Sequence, residues 1–384
     1  MQKLVWLCGI GVLGACATAP VDDGEAPAAP ATGVVTSNSF AFRPMGFARI
    51  TAAGGVTTAF DSLSASPTPV TVTHTTGTYA VTFASLAAPS PLTDATGGDA
   101  QLTAEGTNNT RCRVLNWTGT PNLTVNVQCN LPDGTLADSP FAVLFYRNTM
   151  PAPTGGRATA AYSWVQAAGT ISPFWDYNDS GVHNTVTKTT GQYQLTLKNA
   201  QPVNASMMIT PYSGTAPGAA CSIVNWFTSG NDILVNIECR NNVNQLIDSA
   251  FSFSYAMTGP TIDQQGAHAW FDGSAASPSY SDALGKVTSC SAASVTGSAS
   301  GGLVTMTVSG DLGSWDASPF LRASLASKYG TAGYCKVESL TVVGVAPSST
   351  ATTTLRCYDP TGAAIATPPR LTFTHVTSDA AGPC

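Results

Sequence analysis

The chain has 384 residues, of which only 10% are charged, with 16 Lys plus Arg against 22 Asp plus Glu and a formal net charge of −6. No basic run offsets this acidic balance, so nothing attracts a nucleic-acid backbone and we expect no nucleic-acid partner. A charged fraction far below the ~25% of a typical soluble domain, with Gly, Ser, Thr and Ala in excess, is typical of an exported β protein.

Residues 1–15 have the pattern of a secretory signal, with one lysine before the apolar run Leu4 to Leu13. A helix of this run would extend only ~15 Å, half of a bilayer core, so it is not a membrane span. The run Leu13-Gly14-Ala15-Cys16 resembles the lipobox of bacterial lipoproteins. That resemblance implies a lipoprotein signal peptide, a diacylated Cys16 as membrane anchor and, since Ala17 rather than aspartate follows, location at the outer membrane. An ordinary secretory signal is the alternative.

Residues 16–37 hold proline and acidic residues and almost no bulky side chain. Such a segment cannot bury enough apolar surface to offset the entropy of ordering it. We therefore predict a lipidated cysteine followed by a disordered tether.

A two-cysteine hairpin pattern then occurs three times, with spacings of 17, 18 and 22 residues. The pairs are Cys112 and Cys129, Cys221 and Cys239, and Cys335 and Cys357. Because the opening cysteines are 109 and 114 residues apart, the period matches one small β domain. The sequence therefore predicts three tandem modules, at 38–150, 151–258 and 259–384.

Eight cysteines remain after the signal peptide and Cys16, an even number that suits an oxidising compartment. Equivalent positions in repeated modules should pair alike, which predicts a disulfide within each hairpin and a fourth between Cys290 and Cys384. Zinc binding is the rival interpretation, but the spacings do not fit paired Cys-x-x-Cys ligands. We expect no metal and no cofactor.

Each hairpin has a register that the disulfide sets, because bridged residues must face each other across the two strands. Counting from the cysteines places Val114 opposite Val127 and Asn116 opposite Val125. The same count in the second module places Ile223 opposite Ile237 and Asn225 opposite Val235.

Strict alternation then puts Trp117 and Trp226 on the face away from the disulfide. There each ring is a candidate platform for a sugar or a peptide, or else covers a neighbouring strand or the next module. Asn116 and Asn225 are predicted to form turns.

A second repeated pattern is a Thr-Thr-Gly turn between alternating β-branched or aromatic residues, at Thr75-Thr76-Gly77 and Thr189-Thr190-Gly191. It predicts two strands joined by a tight turn. Six or seven short strands per module, with no convincing helical period, favour an all-β chain of three tandem β-sandwich domains, Ig-like or similar. A compact barrel is the alternative.

Catalytic patterns are weak throughout. None of the four histidines recurs in the repeat, and the sequence has no Gly-x-Ser-x-Gly and no His-Glu-x-x-His. Asp176 to Gly181 resembles the start of a calcium loop but lacks its closing acidic residue, which favours an Asx turn. Asp138 and Asp248 recur nine residues after the second cysteine, without the second carboxylate that glycan cleavage requires.

The repeats resemble the tandem cystine-hairpin β modules of secreted and lipid-anchored bacterial surface proteins, through Cys-x-Val/Ile-x-Asn-Trp and the Thr-Thr-Gly-x-Tyr hairpin. The third module departs from that pattern with Ser339-Leu340. No activity comes with the resemblance. We hypothesise a non-enzymatic lipoprotein, a rod of three sandwiches that binds a glycan or a protein at the cell surface or has a structural role. The alternative is an exported hydrolase acting on polysaccharide or peptide.

Overall fold

The described part of the chain is all-β, which confirms the predicted fold class. A computed structural model describes residues 45–61, 63–64, 69–86, 97–119, 122–147, 156–158, 160–200, 205–212, 218–257, 266–272, 280–284, 294–310, 322–344, 349–367 and 369–377. No helix that could span a bilayer is found in that part. The predicted signal peptide, Cys16, the tether, Cys290, Cys384 and the boundaries at 150/151 and 258/259 lie outside the described residues.

The described strands fall into three sets of eight, one set for each repeat. Those of the first repeat are β1 Met45–Ile50, β2 Val56–Asp61, β3 Val70–Thr75, β4 Thr78–Phe83, β5 Asp99–Ala104, β6 Arg111–Gly119, β7 Leu123–Asn130 and β8 Phe141–Tyr146. Those of the second are β9 Ala160–Val165, β10 Ile171–Asn178, β11 Thr185–Thr189, β12 Gln192–Leu197, β13 Ala205–Tyr212, β14 Ala220–Ser229, β15 Asp232–Arg240 and β16 Ala250–Met257. Those of the third are β17 Gly266–Phe271, β18 Tyr280–Leu284, β19 Ser294–Ser300, β20 Leu303–Gly310, β21 Arg322–Tyr329, β22 Tyr334–Val343, β23 Ser349–Tyr358 and β24 Arg370–Thr377.

Each repeat is a sandwich of two four-stranded antiparallel sheets with a buried apolar core between them. We call one the hub sheet, with the orders β2-β1-β8-β5, β10-β9-β16-β13 and β18-β17-β24-β21. We call the other the hairpin sheet, with the orders β3-β4-β7-β6, β11-β12-β15-β14 and β19-β20-β23-β22. The strands number eight per repeat rather than six or seven. In the first repeat β5 is buried at every position, so it shows none of the alternation by which strands are recognised.

The three repeats are joined edge to edge by their sheets. At each junction the first strand of a cystine hairpin forms one parallel pair with the end of the fifth strand of another repeat. The paired residues are Val114 with Tyr212, Ile223 with Tyr329, and Val337 with Glu105. The third pair returns from the third repeat to the first and closes a ring. The predicted rod of separate modules is therefore wrong, since the described residues between 45 and 377 belong to one compact unit.

The closing junction, between the third repeat and the first, has several polar contacts among its described residues. The amide of Gly106 donates to the carbonyl of Val337 at 2.8 Å, as that of Gly330 does to Ile223 at 2.9 Å in the second junction. Lys336 is fully buried there, and its Nζ donates to the backbone carbonyl of Asn108 at 3.0 Å and to its Oδ1 at 2.6 Å. Burial lowers the pKa of Lys336 to about 7. These bonds compensate in part for removing an amine from water.

The inner hub-sheet strands of the first two repeats are buried on both faces because the hub sheets also pack against one another, whereas the edge strand β2 is partly exposed. Between the first and second repeats, Thr210 donates to Gln101 at 2.8 Å and accepts from the amide of Leu102 at 2.9 Å. Between the second and third, the hydroxyls of Ser206 and Thr374 lie 2.6 Å apart. Small hydroxyl side chains therefore link hub sheets whose inner faces are apolar. This explains why strands buried on both sides keep so many polar residues.

Asp99 is the one carboxylate in the contact between the first two described hub sheets, and it is 1% exposed. It accepts hydrogen bonds from Ser252 of the second repeat and from Gln101, the latter at 2.8 Å. Burial raises the pKa of Asp99 to about 7, although both hydrogen bonds oppose the shift. An acid held in this way is most stable in its neutral form.

We predict that Asp99→Asn stabilises the protein at neutral and alkaline pH. Because an unfolded aspartate titrates near 3.8, the folded state holds the extra proton between about pH 4 and pH 7, and the free energy of unfolding falls as pH rises through that window. Three pKa units correspond to about 4 kcal/mol at most. Thermal unfolding at pH 4 to 8 should show the variant's advantage growing with pH. Asp133→Asn, a change at an exposed turn, is the control, and parallel curves for Asp99→Asn and the wild type would contradict the prediction.

Candidate functional site

The repeated cystine hairpins form as predicted. Disulfides join Cys112 to Cys129, Cys221 to Cys239 and Cys335 to Cys357, with Cα atoms 4.0, 4.0 and 3.9 Å apart. In each hairpin the two cysteines lie directly opposite each other in the ladder. The disulfide therefore fixes the register at the end of the hairpin that joins the neighbouring repeat.

The register predicted from the cysteines holds for only two residues. Val114 faces Val127 and Ile223 faces Ile237, as expected. A β-bulge then follows in every repeat, between Val114 and Asn116, Ile223 and Asn225, and Val337 and Ser339. The predicted pairing of Asn116 with Val125 and of Asn225 with Val235 is therefore wrong. The bulge follows directly on the residue that pairs with the neighbouring repeat.

One extra residue in a strand turns every later side chain to the other face. Trp117 consequently pairs with Val125 and points into the core, where it is 6% exposed. Its ring lies 5.1 Å from that of Trp175 and 5.3 Å from that of Tyr212, both from the second repeat, and 6.4 Å from Phe145 of the first. The predicted ligand platform at Trp117 is corrected, because the ring is covered by the next module.

Trp226 occupies the same position in the second repeat. It pairs with Val235, is half-buried and packs against the core of its own repeat. Its ring centroid is 4.4 Å from that of Trp270 in the third repeat. The structure thus places it in a junction and not on an open face. In the third repeat Leu340 takes this place and packs against the core there.

The bulge also moves the asparagines that precede the tryptophans. Asn116 and Asn225 lie within strands and not in turns, on the exposed face of the hairpin sheet. The Nδ2 of Asn126 donates to the Oδ1 of Asn116 at 2.6 Å, and the Nδ2 of Asn236 donates to Asn225 at the same distance. The first two repeats therefore present equivalent amide pairs at the same position of the hairpin sheet. Strict alternation of side chains had predicted the wrong position for these asparagines.

Each amide pair belongs to a row of side chains that crosses all four strands of the hairpin sheet, and all members of these rows except Ala80 are polar. The middle rows are Thr73-Ala80-Asn126-Asn116, Thr187-Gln194-Asn236-Asn225 and Ser298-Thr305-Thr354-Ser339. In the first repeat a parallel row is Thr71-Thr82-Thr124-Thr118, where Thr82 and Thr124 are hydrogen-bonded at 2.9 Å. We call these surfaces the polar faces. The middle row recurs at the equivalent register in each of the three described repeats.

The polar face of the second repeat is concave. A depression of about 420 Å³ is bordered by side chains of this row, among them Thr187, Gln194 and Asn236, and by Glu238 at one end. The Nε2 of Gln194 donates to Asn236 at 3.1 Å, so the amides form a chain with Asn225. Hydrogen bonding fixes the orientation of the amides in the depression.

Asp138 and Asp248 have a local role at the Thr-Thr-Gly turn. Asp138 accepts from the amide of Gly77 at 2.6 Å and from His74 at 2.9 Å, and the first of these bonds chiefly lowers its pKa. Asp248 accepts from the amide of Gly191 at 2.8 Å and pairs with Lys188. The hydrogen bond from Lys188 is the main cause of the lowered pKa of Asp248.

The glycine that recurs in this turn in the first two repeats is required by its backbone conformation. Gly77 and Gly191 both have φ of +66°, which favours glycine, and their carbonyls accept from the amides of Cys129 and Cys239 at 2.8 Å. The tight turn predicted from Thr-Thr-Gly is thus confirmed, and the aspartate holds it against the cystine hairpin.

The loop that resembles a calcium site is an Asx turn. Asn178 Oδ1 accepts from the amide of Ser180 at 2.9 Å, while Asp176 accepts from the side chain of Asn184 at 2.7 Å and from Ser163 at 2.7 Å. Among the described residues no group of three or more His, Cys, Asp or Glu side chains could hold a metal ion.

These observations define an all-β protein of three sandwiches closed into a ring, with three polar faces as its candidate binding surfaces. No protein-family model matches the chain, and neither a curated protein nor a solved structure is significantly similar to it.

We predict that Trp117→Ala destabilises the protein by about 3–5 kcal/mol, because it empties a buried aromatic cluster shared by two repeats. Trp226→Ala, which removes a half-buried ring, is the matched comparison and should cost clearly less. Urea unfolding followed by circular dichroism measures both. Equal losses in the two variants would contradict the different burial of the two rings.

Proposed function

We propose that this protein is a non-enzymatic, lipid-anchored protein of the bacterial outer membrane whose three-repeat ring binds a glycan through the polar faces. The observation that carries the proposal is the amide pair repeated at 2.6 Å in the first two repeats, within rows of hydroxyls and amides. A glycan presents the complementary groups, since each sugar hydroxyl both donates and accepts hydrogen bonds.

The spacing of the polar faces suits a polymer. Neighbouring strands lie ~4.8 Å apart and alternate residues of one strand ~6.8 Å apart, so each face offers a regular grid of donors and acceptors. Threonine contributes a hydroxyl on a side chain with few rotamers, and amides such as Asn126 are held by their partners. Groups that are already ordered lose little entropy when a ligand binds.

The depression in the second repeat is the strongest single candidate subsite. Its volume of about 420 Å³ lies within the usual range for small-molecule sites, ~300–1,000 Å³. Its border of threonine, glutamine and asparagine favours a hydroxyl-rich ligand over an apolar one. Its charged lining residues are Lys188 and Glu238, of opposite sign, so the lining carries no net charge.

Asn236→Ala should weaken glycan binding by at least tenfold, because Asn236 is the central amide of the chain in the depression. Binding of the full chain to a glycan array, followed by titration of the best ligand, measures the effect. Asn126→Ala tests the equivalent pair of the first repeat. Gln166→Ala, at an exposed turn of the second repeat, is the control and should change nothing.

Three outcomes count against this function. Absence of any bound glycan, or equal affinity in Asn236→Ala and the wild type, would remove the polar face as the site. Release of shortened products from a bound glycan would favour the alternative class, an exported hydrolase.

The anchor is tested separately. Cys16→Ala removes the thiol that the lipobox resemblance marks for acylation, so the variant should take up no radiolabelled fatty acid and should leave the membrane fraction. The wild-type chain, processed in parallel, is the control. Label that still enters the variant would contradict the anchor assignment.

A further inference from the structure

The three cystine hairpins converge around a cavity at the centre of the ring. Cys112, Cys221 and Cys335, which are equivalent in the three repeats, all line it. The cavity has a volume of about 40 Å³. A water molecule needs ~10–15 Å³ on this measure, so the space holds about three waters or one small polyatomic ligand.

The three repeats contribute different side chains beside these cysteines. The residue before the first cysteine is Arg111 in the first repeat, Ala220 in the second and Tyr334 in the third, and all three line the cavity. The arginine therefore breaks the threefold equivalence, because the equivalent positions of the other two repeats carry no charge. The guanidinium carbon of Arg111 lies 5.2 Å from the centroid of the Tyr334 ring.

Arg111 is only 5% exposed, yet most of its donor capacity is unused. Its Nη2 donates to the carbonyl of Pro132 at 2.9 Å. Its Nε and Nη1 are buried and have no hydrogen-bond partner among the described residues. A guanidinium remains charged in proteins, and buried charges are ordinarily paired and hydrogen-bonded.

The remaining lining reinforces the positive potential. Lys328 lines the same cavity, is 3% exposed and donates to the hydroxyl of Thr331 at 2.9 Å. Burial lowers the pKa of Lys328 to about 8, so it is still largely protonated at neutral pH. None of the described residues that line the cavity is acidic. Two cations therefore line a small space whose described lining holds no carboxylate. Attraction from Asp359 to Arg111 and from Glu238 to Lys328, both outside the lining, offsets the effect of burial only in part.

We propose that the central cavity is a binding site for a small oxyanion, a carboxylate or a tetrahedral anion of phosphate size, whose oxygens accept hydrogen bonds from the unpaired N–H groups of Arg111. Lys328 supplies a second charge on the wall. The site lies between the repeats and uses no residue of the polar faces. A negative result for glycan binding would therefore not contradict this proposal, and a negative result here would not contradict glycan binding.

The test titrates the full chain with sodium acetate, sulfate and phosphate at pH 7 against sodium chloride at matched ionic strength. A ligand that binds only the folded state raises Tm with its concentration. We expect at least one oxyanion to raise Tm above the chloride series and to bind in calorimetry with saturation. Acetate against sulfate and phosphate distinguishes a carboxylate site from a tetrahedral one.

Arg111→Met keeps the length and packing of the side chain but removes the donors, and it should weaken the oxyanion affinity at least tenfold. Lys328→Met should weaken it less. Arg157→Met is the matched control, because Arg157 lies on the surface bonded to Asn231 and should leave the affinity unchanged.

If Arg111→Met does not fold, saturable binding to the wild type in calorimetry decides, because sulfate and phosphate also raise Tm by exclusion from the protein surface. Equal Tm values in oxyanions and chloride would show that water fills the cavity and would overturn the proposal. Unchanged oxyanion affinity in a folded Arg111→Met protein would overturn it as well.

Discussion

The architecture depends on three aliphatic residues, each of which pairs in two directions. Val114, Ile223 and Val337 each face a partner in their own hairpin and also join the fifth strand of another repeat. A disulfide two residues earlier holds the hairpin edge in place, and the bulge that follows bends the strand away. Because the shared edge is limited to one pair, each hairpin sheet can diverge from the neighbouring hub sheet. The three repeats can then turn through a closed ring.

Closure places the hub sheets in an unusual position for strands of a sandwich. Both faces of their inner strands are buried, so the side that meets another repeat must match polar groups as well as shape. Ser206 with Thr374 and Gln101 with Thr210 do this with short hydroxyl and amide side chains. Burying the charged forms of Asp99 and Lys336 costs more free energy than burying these neutral groups, and burial moves the pKa values of both residues to about 7. The contacts between repeats therefore respond to pH more than the sandwich cores do.

Features with a local cause could be predicted from the sequence. The disulfides follow from the repeated cysteines, and the turns at Gly77 and Gly191 follow from Thr-Thr-Gly. The bulge has no sequence signal, because counting from a disulfide assumes an unbroken register, and this error misplaced Trp117. The closed ring could not be predicted from the sequence either, because Glu105 and Val337 pair across more than two hundred residues and share no motif. The polar faces could be recognised only from the structure, because the bulge determines the row in which Asn116 and Asn225 lie.

The closed ring resembles a symmetric trimer in which the three subunits have been fused into one chain. A trimer of separate chains dissociates on dilution, because each association step depends on the concentration of free subunits. Here the repeats are covalently linked, so each junction forms at a fixed effective concentration. The assembly therefore survives at any dilution. Single positions such as Arg111 are also free to differ between repeats, which identical subunits could not allow.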